Sequence, residues 1–208
     1  MTRALALSRA ALTILGAFLL LLCAILPSML LSGDASLLDW VRGSTWPLLS
    51  VLALLQAALM PFVMISIYAW QTEETGILGL VGLMMAVVGL LGFEWFQFDM
   101  ALVWPVLASA APELIAIDGP MFRHLRFAFV HLWMGPVHSI GTLLFGIALF
   151  RARVLPRTAS ALFTIGVFLS AGVLFPPLWL RFVPGVIGAI AMGWIGVIMW
   201  KRPVLAHA

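Results

Sequence analysis

Apolar residues do not alternate with polar ones along this chain; they run on in long stretches, and charged or turn-forming residues gather between the stretches. A helix rising 1.5 Å per residue crosses about 30 Å of hydrocarbon in about 20 residues, and several of the apolar runs reach that length. The pattern predicts six membrane spans, at about residues 9–31, 46–70, 76–98, 127–150, 158–176 and 183–200. The connectors "SGDASLLDWVRGST", "QTEET", "RARVLPR" and "PLWLRF" carry the turn chemistry and most of the charge. The expected fold class is all-α: a single integral membrane domain over residues 1–208.

The stretch "DMALVWPVLASAAPELIAIDGPMFRHLR" between the third and fourth spans could add a seventh crossing, and arginine placement decides against it. Short cytoplasmic loops accumulate Lys and Arg. With six spans and the N-terminus inside, Arg3, Arg9, Arg151, Arg153, Arg157, Lys201 and Arg202 lie inside and Arg42, Arg123, Arg126 and Arg181 outside. A crossing at 100–117 would reverse that bias. The expected topology therefore has both termini inside and an outer re-entrant or surface-lying helix around residues 100–120, broken by Pro105 and Pro112.

Composition removes the soluble alternative. Hydrophobic residues make up 64% and charged residues 9%, against roughly 25% charged in a soluble domain. The N-terminal apolar run is longer than the core of a secretory signal and lacks a clear Ala-x-Ala cleavage site, so an uncleaved first span is expected. The formal charge of +3 comes from residues flanking apolar runs. These flanks suit anionic lipid headgroups, with Arg151, Arg153 and Arg157 the clearest cluster, and no nucleic-acid surface is expected. Cys23 is the only cysteine, which excludes an intrachain disulfide and a Cys-x-x-Cys redox pair. Lys201 is the only lysine and stands at the end of the last span, an improbable place for a buried Schiff base.

Lipid gives helices no hydrophobic reason to associate, so small residues that admit close backbone approach mark the contacts. Gly79, Gly82, Ala86 and Gly89 step by three or four along the third span, and Gly185, Ala189 and Gly193 do so along the last. In the fourth span His124, His131 and His138 recur every seven residues, a turn of only about 20°, and Gly135, Thr142 and Gly146 share their face. The histidines are thus expected to look inward, His138 near the midplane and His124 at the outer boundary. Pro136 is expected to kink this helix and loosen the register of His138.

Seven residues rise about 10.5 Å, so two of these histidines cannot share a metal ion with bonds of about 2 Å, and no metal site is expected. Haem would need a second axial ligand from another helix, and no other span carries a histidine. No cofactor is expected; haem or pigment would require ligands from a partner. The expectation for His138 is a structural hydrogen bond to a carbonyl or hydroxyl of the bundle. Glu94, about one turn before the end of the third span, is either a proton-handling group facing His131 or an interfacial carboxylate paired with a nearby arginine. No nucleophile elbow, phosphate loop or zinc helix occurs.

The segment "HSIGTLLFGIALFRARVLPRTASALFTIGVF", His138 to Phe168, resembles uncharacterised bacterial multi-pass proteins grouped as domains of unknown function, in which a glycine-spaced helix ends in an "R-x-R-V-L-P-R" hinge before another apolar helix. The resemblance implies a bacterial inner-membrane protein and no particular activity. Three classes of function fit these observations. The first is an accessory or scaffold subunit of a larger membrane assembly or homo-oligomer. The second is a small enzyme or carrier with an outer-leaflet pocket lined by Glu94, His131 and His138. The third is a haem or pigment carrier using His131 or His138.

Overall fold

The computed structural model describes residues 3–30, 36–115, 119–170 and 178–202. Among them every regular element is helical: α1 (Arg3–Leu30), α2 (Leu37–Arg42), α3 (Trp46–Trp70), α4 (Thr72–Phe98), a π-helical turn (Asp99–Val103), α5 (Trp104–Ala110), a 3-10 turn (Pro112–Leu114), α6 (Pro120–Arg123), α7 (Leu125–Ala152), α8 (Arg157–Ser170) and α9 (Leu178–Lys201). Five runs are long and apolar enough to cross a membrane: Arg3–Pro27, Trp46–Trp70, Thr72–Ala110, Met134–Ala152 and Val183–Lys201. Arg157–Leu169 is a shorter apolar helix. The span expected at 158–176 is described as far as Ser170, and residues 171–177 lie outside the described set.

Local chemistry explains where the helices stop. Ser36 and Asp39 close a reciprocal capping box on α2, and the Gly43 amide donates back to the Trp40 carbonyl. Pro47 stands in the first turn of α3, where a missing amide hydrogen costs nothing. At Gln71 the backbone leaves the helical region (φ −141°, ψ 35°) and α4 begins at once. Gly76 then takes φ 58° and ψ −157°, a combination open to glycine, so the straight part of α4 starts after it. This double elbow turns the chain back on itself.

The segment after α4 corrects one expectation. Pro105 was expected to break the chain into a separate surface or re-entrant helix, yet the helical run continues from α4 through the π turn into α5. Pro105 has no amide hydrogen, and its ring would collide with the carbonyl four residues back. The wider turn relieves this, with the Trp104 amide donating to the Asp99 carbonyl. The run ends where Ala111, held out of the helical region (φ −154°, ψ 67°) by Pro112, turns the chain. Pro136, where a kink is expected, lies inside α7, which is helical from Leu125 to Ala152.

Helix pairs run antiparallel. Gly82, Ala86, Gly89 and Gly92 of α4 meet Phe145, Gly141, His138 and Met134 of α7 in descending order. Gly196, Gly193 and Gly185 of α9 meet Ile14, Ala17 and Ala24 of α1. Gly166 of α8 lies against Gly188 of α9, and Gly16 of α1 against Val63 of α3. The main core joins these helices through Val63, Met64, Ile67, Phe145, Leu149, Phe163, Met192 and Ile195. Large apolar side chains such as Phe62, Met84, Leu91 and Ile190 face outward, the arrangement of a bundle whose solvent is lipid.

The antiparallel packing sorts the charges by end. Arg9 at the start of α1 donates to the Ala69 carbonyl near the end of α3 at 3.4 Å. Arg151, Arg157 and Lys201 stand at the helix termini on that same side, the arginine end. Trp46, Trp104 and Arg42 stand at the other, the tryptophan end.

Candidate functional site

The histidine row leads to the α4–α7 seam. His138 is 3% exposed. Its Nδ1 lies 2.9 Å from the Ala86 carbonyl. A carbonyl only accepts, so Nδ1 carries the proton and donates. The neutral ring then leaves Nε2 as an acceptor, and the Thr142 hydroxyl stands 3.4 Å away, one turn along α7. Both ring nitrogens face protein partners, as the structural expectation for His138 has it.

The backbone comes this close because small residues face each other. A Cβ on Gly89 would fall 2.5 Å from both Cα and Cβ of His138, and one on Gly82 would fall 2.8 Å from Cα of Phe145. From the opposite helix, a Cβ on Gly141 would lie 2.6 Å from the Met85 carbonyl carbon. Of the other residues expected at contacts, Gly185 faces Ala24, Gly193 has only ordinary contact with Ala17, Ala189 is buried, and Gly79 meets Thr75 of its own helix and the Tyr68 ring. Gly135 departs from its expectation: nothing among the described residues lies within 4 Å of where its Cβ would stand. Gly141 and Gly92 were missed by the reading of the chain, although Gly141 is three residues after His138 and on a neighbouring face.

The other candidates stand as follows relative to His138. Glu94 is half-buried on α4, five residues past Gly89 and thus about 7.5 Å further along the axis. His131 lies within α7, with its side chain outside the described set. His124 is the exposed residue that precedes α7. Among the described residues no group of three or more His, Cys, Asp or Glu is placed to hold a metal ion.

A second assembly, unforeseen in the pattern, occupies the tryptophan end. Trp46 and Trp104 stack with centroids 6.2 Å apart and planes at 9°, and Phe96 meets Trp104 edge-on at 5.5 Å. The Trp46 indole donates to the Met100 carbonyl at 3.0 Å. Arg42 donates from Nε and Nη2 to the Ala108 carbonyl at 3.1 and 2.7 Å, satisfying a free acceptor in the last turn of α5. Val41, Ala108 and Ile115 complete this small core, which is separate from the main one.

At the arginine end, the hinge between α7 and α8 is held by Leu155, which is fully buried, and by Val154 against the main core. Arg153 takes the left-handed conformation (φ 58°, ψ 15°) that ends α7. The Arg157 guanidinium lies 5.3 Å over the Phe150 ring, a cation–π contact.

Five helices long and apolar enough to cross a membrane, joined by glycine seams, place the chain in the class of helical-bundle membrane proteins. No family model, curated protein or solved structure matches it.

Proposed function

We propose that this chain is an accessory or scaffold subunit of a larger assembly in the bacterial inner membrane, with six spans and both termini cytoplasmic. The arginine end supports that orientation, since it gathers seven of the eleven Lys and Arg residues. The resemblance of residues 138–168 to uncharacterised bacterial multi-pass proteins points to the same setting.

The observation that carries the reading is an apolar ridge at the tryptophan end. Trp95, Phe98, Leu102 and Val106 follow one another at steps of three or four and are 65%, 50%, 54% and 62% exposed. Beyond the elbow at Gly76 the helical run continues to Ala110, roughly 34 residues or about 50 Å of helix. Even a tilt of 40° lets the hydrocarbon accommodate only about 26 residues. The ridge therefore extends past the acyl chains, where bare apolar surface is costly and an apolar helix of a neighbouring protein would cover it. Inside the bundle, by contrast, the buried His138 spends its nitrogens on internal partners, which gives no support to a catalytic or haem-ligating role for it.

A photo-reactive residue placed at Val106 tests this in native membranes, with Val88 in mid-α4, also exposed, as the lipid-facing control. One discrete protein adduct at Val106, lost on Leu102→Asp and absent at Val88, is expected. Lipid adducts alone at both positions, with a partner-free monomer in mild detergent, would overturn the proposal.

A further inference from the structure

Charge is partitioned along this chain as well as across it. All eight acidic residues precede residue 119, and from Gly119 onward the chain has Arg123, Arg126, Arg151, Arg153, Arg157, Arg181, Lys201 and Arg202 with no carboxylate side chain at all. The part of the chain that forms α7, α8 and α9 thus carries no carboxylate of its own, and at the arginine end the acidic side chains are Glu73 and Glu74 in the first turn of α4. Five of the eight lie at the arginine end, on the α7–α8 hinge and at the close of α9, which packs along α8.

From these observations we infer that the α7–α8 hinge is a selective site for the phosphate of an anionic glycerophospholipid, held by Arg151, Arg153 and Arg157 with Lys201 and Arg202 beside it. This goes beyond a diffuse attraction to a charged leaflet, because the hinge is stiff. Buried Leu155 anchors it, Arg153 is turned aside by its left-handed backbone, and Arg157 is laid over Phe150. Arg151 closes α7, where a cation suits the helix dipole; Arg157 opens α8, where a cation does not, so helix stability gives no reason for it. All three side chains are exposed at a helix terminus, the depth at which lipid phosphates lie. A guanidinium offers a planar fork that grips phosphate through two parallel hydrogen bonds, whereas an ammonium offers a point charge.

That difference supplies the test. The purified full chain in a neutral detergent is melted with added phosphatidylglycerol, phosphatidylcholine or inorganic phosphate. A selective site raises the melting midpoint by more than about 3 °C with phosphatidylglycerol and not with the other two. The variant Arg151→Lys/Arg153→Lys/Arg157→Lys keeps every charge and is expected to lose most of that shift, while Arg123→Lys/Arg126→Lys at the opposite end keeps it. An unchanged shift in the hinge variant would reduce the effect to a diffuse field and overturn the site. Equal stabilisation by inorganic phosphate would overturn its lipid character, and an absent shift in the unmodified chain would overturn both. Native mass spectrometry keeps the test decisive should the hinge variant melt early, because retention of one phosphatidylglycerol by the unmodified chain and its loss from the variant are read on folded ions.

Discussion

The α4–α7 seam and the tryptophan cap solve the same problem, holding helices together, with opposite materials. In the seam the side chains shrink to glycine and alanine until backbone meets backbone, and the His138 imidazole bridges the helices through a carbonyl. In the cap the side chains are the largest available, two stacked indoles with a phenyl ring edge-on. The difference follows from the solvent. Deep in hydrocarbon, burying apolar surface gains almost nothing, so close dispersion contact and a hydrogen bond must do the holding. At the boundary, water is near enough for apolar area to count again, and an indole suits a place that is greasy on one side and wet on the other.

If backbone proximity holds the seam, adding one side chain there should do the most damage of any change considered. Gly89→Leu drives its Cβ into the backbone of His138 and is expected to cost about 3 kcal/mol or more, read as a fall in the melting midpoint in detergent. Gly193→Ala, where only an ordinary contact with Ala17 awaits, should be neutral or stabilise by about 0.5–1 kcal/mol through helix propensity. Equal behaviour of the two variants would remove the distinction between seam glycines and other helix glycines.

The cap should fail differently. Trp104→Ala removes a buried indole and both of its ring contacts, a loss of about 3 kcal/mol, yet the cap core is separate from the main core. Hydrogen exchange is therefore expected to rise over α2 and α5 while α4 and α7 keep their protection. Loss of protection throughout the bundle would mean that cap and seam form one cooperative unit.

These two regions also differ in how far the chain's pattern disclosed them. The steps Gly82, Ala86, Gly89 and the inward face of His138 are periodic within single helices and were legible, and the observed contacts follow that spacing, whereas His124, expected inward with it, is exposed ahead of α7. The cap joins Arg42 to Ala108 and Trp46 to Met100 across 66 and 54 positions, and no local period announces a pairing at that separation. A proline misled at the cap, because a widened turn absorbs Pro105. Spans flanked by charge were legible to within a few residues: 46–70 coincides with α3, and 127–150 lies inside α7.

The hydrogen bond within the seam is worth less than its burial suggests. Interhelical hydrogen bonds in membranes average about 0.6 kcal/mol and reach about 1.7, because an unfolded chain in lipid also finds partners. His138→Leu keeps similar bulk and removes both contacts, so a loss of about 1–2 kcal/mol is expected, smaller than that of Gly89→Leu. Adding Thr142→Val should change little further, since the hydroxyl stands at the long limit for donating a hydrogen bond to Nε2. A larger effect for His138→Leu than for Gly89→Leu would reverse the ranking and make the imidazole, not the glycine, the fastening of the seam.

The smallest effect belongs to the approach to the cap, where charge acts in water. Asp39 accepts from the Ser36 hydroxyl at 2.6 Å and from the Ser36 amide at 3.0 Å. Those two bonds, with a lesser contribution from Arg42, hold its carboxyl below the usual carboxylate range. A depressed folded value means that the carboxylate contributes to α2 above the unfolded pKa of about 3.9, and that the contribution disappears as pH falls through the lower folded value. Amide resonances of Ser36 and Asp39 in micelles should therefore hold steady from neutral pH down to about 4 and move together below it. Asp39→Asn keeps an acceptor oxygen and should abolish the titration while leaving α2 folded. Movement centred at or above the ordinary aspartate value would show that the capping box does not favour the charged form, and α2 would then owe its place to its packing in the cap core and to Arg42.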